Sequence, residues 1–161
     1  MRINFISIRE EMIMHMKHQA VSEALGKILA DTFTLYLKTH NFHWNLSGPL
    51  FISLHLLFEQ QYQALFEAVD VLAERIRALG FPAPGTYKAY GEMTCLKEVQ
   101  GVPKTEEMLK MLLADHRTLV KVAYDVFAVA ETAGDQATMD LMIQRIEAHE
   151  KIAWMLQSQL S

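Results

Sequence analysis

Helical periodicity is interrupted very seldom in this chain, and that restricts its fold more than any other feature. Of four prolines and seven glycines in 161 residues, most fall at 48–49, 80–85 and 101–103. A helix interior excludes proline and disfavours glycine by roughly 1 kcal/mol, so the stretches between these breaks are free to run as long helices. From Gln19 to Leu46, the residues Leu25, Ile28, Leu29, Phe33, Tyr36, Leu37 and Trp44 recur at three-to-four spacing, which predicts an amphipathic helix. Ser47-Gly48-Pro49 ends it, and Pro49 suits the first turn of a second helix. That helix reaches Leu79, with Leu54, Leu57, Phe58, Leu65, Val69, Leu72 and Ile76 as its core stripe and Gly80 as its stop. A third is expected over Thr105–Ala133, with Thr105 as N-cap and Met108, Leu112, Leu119, Val122, Val126 and Val129 as its buried face. Gly134 ends it. The fourth begins at Asp135 or Gln136 and carries Met142, Ile146, His149, Ala153 and Leu156.

The first two helices are joined by only two or three residues, and the last two by even fewer, so each pair must be an antiparallel hairpin. Residues 81–104 form the single long connection, and a connection of that length implies structure of its own, here a short helix within Thr86–Val99. Two hairpins joined by one crossover give an all-α, ferritin-like four-helix bundle with a short extra helix in the crossover. Residues 1–161 read as one domain, since an apolar fraction of 51% is ample for a core, with residues 1–18 as a short N-terminal tail whose end can be helical.

Cys95 is the only cysteine, which rules out an intrachain disulfide and a cysteine-based zinc site and suits a reducing cytoplasm. No stretch reaches the ~20 uncharged apolar residues of a membrane span, and Arg9, Glu10 and Glu11 interrupt the N-terminal apolar run before any signal-peptide pattern. The expectation is a soluble, cytoplasmic protein. A formal charge of −4, and a tail with Arg2, Arg9 and Lys17 against Glu10 and Glu11, disfavour a broad nucleic-acid surface. The ten methionines read as core filler, and Glu11 and His15 as solvated. Asp115, His116, His149 and Glu150 read as structural residues without a convergent partner.

The chemistry concentrates in Lys38–Gly80. Along the second helix His55, Glu59, Asp70 and Glu74 fall at roughly 0°, 40°, 60° and 100° around the axis, inside one sector. Yet Glu59 and Asp70 stand eleven residues apart, or roughly 16 Å along the axis, and one ion cannot reach both. The helix therefore carries two half-sites, His55 with Glu59 and Asp70 with Glu74, each an i,i+4 pair able to converge on one point. A second copy packed antiparallel across a two-fold axis would lay the His/Glu end of one chain over the Asp/Glu end of the other, making two equivalent sites. The tight first hairpin also brings His43 within reach of His55. Two imidazoles and three carboxylates suit iron or zinc, zinc being a redox-inert competitor. Taken singly, each residue has a blander reading: His43 and His55 as core or surface histidines, the carboxylates as a solvated face, Glu74 as a partner of Arg75 or Arg77. Glu-x-x-His motifs, which would place a di-iron site inside the bundle, are absent, so the site would lie outside the core. Trp44, beside His43, would either pack or intercept oxidising radicals.

The pattern His43-Trp44-Asn45, Gly48, Phe51, Leu54-His55, Phe58-Glu59, Tyr62, Asp70, Ala73-Glu74-Arg75-Ile76 and Gly80 resembles the signature of Dps-type miniferritins, the DNA-binding proteins from starved cells. The helical layout and the HEKIAWML ending extend the resemblance over nearly the whole chain. It implies a hollow shell of twelve subunits that oxidises Fe(II), preferably with hydrogen peroxide rather than oxygen, stores the ferric mineral and protects against oxidative damage. It also implies di-iron ferroxidase sites between subunits, with His43, His55 and Glu59 supplied by one chain and Asp70 and Glu74 by its two-fold mate. The Lys-rich tail of DNA-binding members is not matched, which leaves a nucleoid-compacting DNA binder as the alternative reading. Where members carry further inner carboxylates, this chain has Gln60, Gln61 and Gln63, leaving Glu67 for mineral nucleation. Asp135 and Asp140 are candidates for an acidic three-fold pore, against capping by Asp135 and a solvated Asp140.

Overall fold

A computed structural model describes residues 5–160, with no strand among them. Five helices follow in order: α1 (Phe5–Asn45), α2 (Phe51–Ala78), α3 (Tyr87–Met93), α4 (Thr105–Ala133) and α5 (Gln136–Gln159). The two hairpins α1–α2 and α4–α5 pack through a contact of α1 with α4, and α3 rests on α1. The architecture is the all-helical bundle expected from the sequence. Among the described residues no helix is long and apolar enough to cross a membrane.

The helix ends follow local chemistry. Gly134 adopts a left-handed φ of 77°, and Asp135 N–H closes α4 on the carbonyl of Ala130, a conformation a β-carbon would strain. The Asp135 carboxylate then caps α5 by accepting from the Thr138 N–H at 3.0 Å. The start of α4 differs from expectation. Lys104 occupies the N-cap, and its backbone N–H donates to the Glu107 carboxylate at 3.2 Å. Thr105 is the first helical residue instead, and its hydroxyl donates to the Ser47 carbonyl at 2.8 Å, tying α4 to the α1–α2 turn. At Gly26 a β-carbon would come within 2.8 Å of Met93 Cε, so the absent side chain leaves room for the Met93 methyl where α3 meets α1.

The segment 1–18, expected as a tail, is from Phe5 onward the opening of α1; Arg2 lies outside the described residues. With 41 residues against 28 in α2, α1 outruns its partner, so its first turns stand in solvent and His15 touches the bundle through Phe81, ring centroids 5.2 Å apart. Met12, Met14 and Met16 are 58%, 50% and 62% exposed and are not core filler, in contrast to buried Met108 and Met142. Leu37 and Trp44 also leave the expected stripe and lie exposed.

Apolar burial fills both ends of the bundle. Leu54, Phe58, Leu65, Leu112 and Leu156 belong to one cluster, and Leu25, Ile28, Leu72, Ile76 and Met142 to the other. Removing any such leucine side chain down to alanine is worth about 2–5 kcal/mol. Polar residues are buried on every bundle helix as well, among them Asp31, Thr32 and Lys38 on α1, Gln61 on α2, His116 on α4 and His149 on α5. The expectation that Asp115, His116 and His149 lack partners is corrected here. Lys38 donates to Asp115, and His116 Nδ1 lies 2.8 Å from His149 Nδ1.

A nitrogen–nitrogen bond of this kind needs one N–H and one lone pair, so a second proton between the rings breaks it. Burial drives His116 well below the ordinary imidazole value, and burial followed by the nearby Arg145 lowers His149 to about 3. The unfolded chain therefore takes up a proton at His149 below about 6.5 that the native ring refuses until near 3, and buried His116 resists protonation in the same sense. Stability is lost over the His149 interval as pH falls, at about 1.4 kcal/mol per unit. Unfolding midpoints measured between pH 7 and pH 4 should fall less steeply for His116→Leu/His149→Leu than for the parent. His149→Leu alone should be destabilised at neutral pH by about 1–3 kcal/mol, because it orphans the His116 ring.

Candidate metal centre

The last turn of α1 and the second turn of α2 set His43 and His55 face to face, with ring centroids 3.7 Å apart and planes inclined by 19°. His43 Nδ1 lies 2.9 Å from the His55 carbonyl oxygen, and His55 Nδ1 lies 2.9 Å from the His43 carbonyl oxygen. A carbonyl can only accept, so both Nδ1 atoms carry their protons and both Nε2 atoms keep a lone pair. The His43 carbonyl is among the last four of α1, which have no partner within the helix. Backbone thus holds both imidazoles in the tautomer and orientation that a metal ligand requires.

An aromatic wall stands behind them. His40 stacks on Tyr62 at 3.9 Å and lies 4.0 Å from Trp44, while the Tyr62 ring meets His43 at 5.2 Å and Phe51 stacks on His55 at 5.0 Å. Partial burial, and then His43, hold His40 below the ordinary imidazole value. Sequence reasoning gave His40 and Tyr62 no place in the site. The available signal was their spacing, since Tyr62 follows His55 by seven and Glu59 by three, and His40 precedes His43 by three.

Glu59 follows His55 by one turn and is half-buried, whereas Asp70 and Glu74 are exposed further along α2. Among the described residues no three or more His, Cys, Asp or Glu gather as a metal-holding group. One chain therefore unites His43 with His55 and places Glu59 a turn away, but leaves Asp70 and Glu74 apart. Neither arginine offered as a partner for Glu74 takes it. Arg75 binds Asp135 at 2.6 Å and the Thr138 hydroxyl at 2.9 Å, and Arg77 donates to the Phe81 carbonyl.

Numbering along α2 adds a constraint. In an antiparallel pair of α2 helices whose dyad passes between residues 64 and 65, residue i faces residue 129 − i, so His55 faces Glu74 and Glu59 faces Asp70 in one register. Phe66 lies close to that dyad, is 61% exposed and meets the Tyr36 ring at a centroid distance of 5.7 Å. The remaining candidates are distributed otherwise. Gln61 is buried in the bundle, and Gln60, Gln63 and Glu67 are exposed. Burial raises the Asp135 carboxyl, but Arg75 and Thr138 outweigh it and hold it below the usual range. Exposed Asp140 accepts from Gln144 at 2.9 Å.

A family model described as a ferritin-like domain matches residues 22–161. The DNA protection during starvation protein of Brevibacillus brevis is 40% identical over 144 residues, covering 87% of this chain and 94% of its own length. Dps from Staphylococcus aureus superposes with a TM-score of 0.86 at 36% identity, over 89% of this chain and 96% of its own. A Dps protein from Vibrio cholerae, described as a member of a broad superfamily of ferritin-like diiron-carboxylate proteins, gives 0.88 at 30% identity, over 91% and 92%.

Because each imidazole is anchored by the other's backbone rather than its ring, losing one leaves the other in place. His55→Ala should weaken binding of a first-row divalent ion, read by cobalt(II) absorption, by about tenfold or more. The bond it removes is worth only about 1 kcal/mol, so thermal unfolding followed by circular dichroism should move by a few degrees at most.

Proposed function

The chain belongs to the ferritin-like family and, within it, to the Dps-type miniferritins, and on that premise we propose that it is an iron-storing ferroxidase. In this reading a homo-oligomeric cage of twelve subunits, working in the cytoplasm, oxidises Fe(II) at sites shared by two chains. Hydrogen peroxide is the preferred oxidant, with oxygen as the alternative, and the ferric product is stored within, which limits oxidative damage. One observation carries the reading: the backbone-locked pair His43/His55, whose free Nε2 atoms begin a helix face that can be completed by a second copy of the chain.

His43, His55 and Glu59 of one chain, with Asp70 and Glu74 of another, bind the iron substrate. The neutral imidazoles supply donors that stay fixed when substrate is absent, and the three carboxylates offset the charge of two ferrous ions. So few protein ligands leave coordination positions for the oxidant. Each Fe(II) gives one electron; the peroxide O–O bond accepts the pair and, with two protons, becomes two waters, so no hydroxyl radical is released. Fe(III) then hydrolyses to oxyhydroxide, with Glu67 the exposed α2 carboxylate available to nucleate it. Redox-inert zinc would occupy the same ligands without turnover.

The alternative of nucleoid compaction gains little support from α1, where Arg9 and Lys17 are offset by Glu10 and Glu11 and offer phosphates no basic stripe.

Stopped-flow oxidation of Fe(II) by peroxide tests the assignment. His43→Ala and Asp70→Ala should each slow the reaction by about tenfold or more, with the assembly unchanged by light scattering. Shells reassembled from a mixture of the two variants should regain part of the rate, because a mixed pair carries one whole site and one doubly broken one. Parental rates in both single variants would refute the ligand set.

A further inference from the structure

The first turns of α1 carry the sequence Met12-Ile13-Met14-His15-Met16-Lys17-His18, three thioethers and two imidazoles in seven residues. The ferroxidase reading uses none of them. As core filler the methionines should be buried, yet all three are at least half exposed. Nor do they form a single apolar stripe. At about 100° per residue Met14 and His18 fall together on one side, with His15 next to them, while Met12 and Met16 flank His15 on the other.

We propose that Met14, His15 and His18 form a binding site for a soft monovalent cation, Cu(I). His15 and His18 are three residues apart and Met14 and His18 four, the two spacings that bring side chains into register on a helix, with β-carbons roughly 5–6 Å apart. Among the described residues no three His, Cys, Asp or Glu gather as a metal-holding group, so a three-donor set on this turn takes its third donor from the thioether of Met14. Two nitrogens and one thioether suit a soft ion of low coordination number; harder divalent ions gain little from the sulfur. The contact of His15 with Phe81 fixes this turn against the end of α2, which reduces the freedom lost on binding. His18 is half-buried, so one ligand is partly shielded from water. Met12 and Met16 lie on the opposite flank of His15 as the neighbouring soft donors.

The test is an anaerobic competition titration of the assembled full chain with cuprous ion against the chromophoric chelator bathocuproine disulfonate, with zinc(II) titrated in parallel. It is run on a His43→Ala/His55→Ala background to silence the seam imidazoles. One Cu(I) per chain should withstand the chelator. Met14→Leu, which keeps size and helix propensity, should weaken Cu(I) by about tenfold or more and leave zinc(II) little changed. His15→Ala/His18→Ala should lose the bound copper. Equal copper retention in the His15→Ala/His18→Ala variant, or an unchanged copper affinity in Met14→Leu, would overturn the proposal. A cage that changes its assembly state in Met14→Leu while its copper binding stays the same would overturn it too, and would mark the methionines as a contact surface.

Discussion

Eleven residues of unbroken helix separate Glu59 from Asp70, about 16 Å of a rod that bends sharply only at a kink, and no kink-forming residue intervenes. The distance is therefore not adjustable by the subunit, and a half-site at either end of α2 stays a half-site. Symmetry offers the way out, because the His/Glu and Asp/Glu pairs are placed about a common midpoint and a single antiparallel register joins both. In the proposed account the rigidity that makes one chain insufficient also makes two chains accurate, since neither α2 has to deform when they meet.

The interior of the bundle is consistent with a site that faces outward. Around the buried imidazole pair His116/His149 no carboxylate gathers to offset a divalent charge among the described residues. Burial keeps both imidazoles neutral. The carboxylates that are buried serve architecture instead: Asp31 accepts from Thr94 and Cys95 and so holds the crossover to α1, and Asp135 joins α2 to the start of α5. The histidines of the candidate centre are held differently, by backbone carbonyls at the α1–α2 hairpin, which leaves their Nε2 lone pairs uncommitted to those contacts.

Much of this was legible because the breaks are local. Gly134, Gly80 and Ser47-Gly48-Pro49 mark helix ends through conformations or missing donors that belong to single residues, and the last helix buries all five residues its spacing nominated. What escaped notice depends on partners far away in sequence. Thr105 was expected as a cap, yet its hydroxyl is taken by Ser47 from another hairpin. His116 and His149 looked isolated because their bond joins positions 33 residues apart, and Lys38 and Asp115 are separated by 77. Periodicity placed Trp44 on a buried stripe, but α1 ends beside it and the ring lies exposed against His40. The half-sites were readable from spacing alone; the tautomer that leaves both Nε2 atoms free was not, because it follows from backbone carbonyls that only the folded hairpin brings into range.

The most direct measurement is anomalous diffraction at the iron edge from crystals of the assembled protein soaked anaerobically in Fe(II). The account predicts density within bonding distance of the Nε2 atoms of His43 and His55 in one chain, with carboxylate oxygens of Asp70 or Glu74 from the neighbouring chain closing the same site. Iron held by groups of one polypeptide alone, or lodged inside the bundle against His116 and His149, would contradict it.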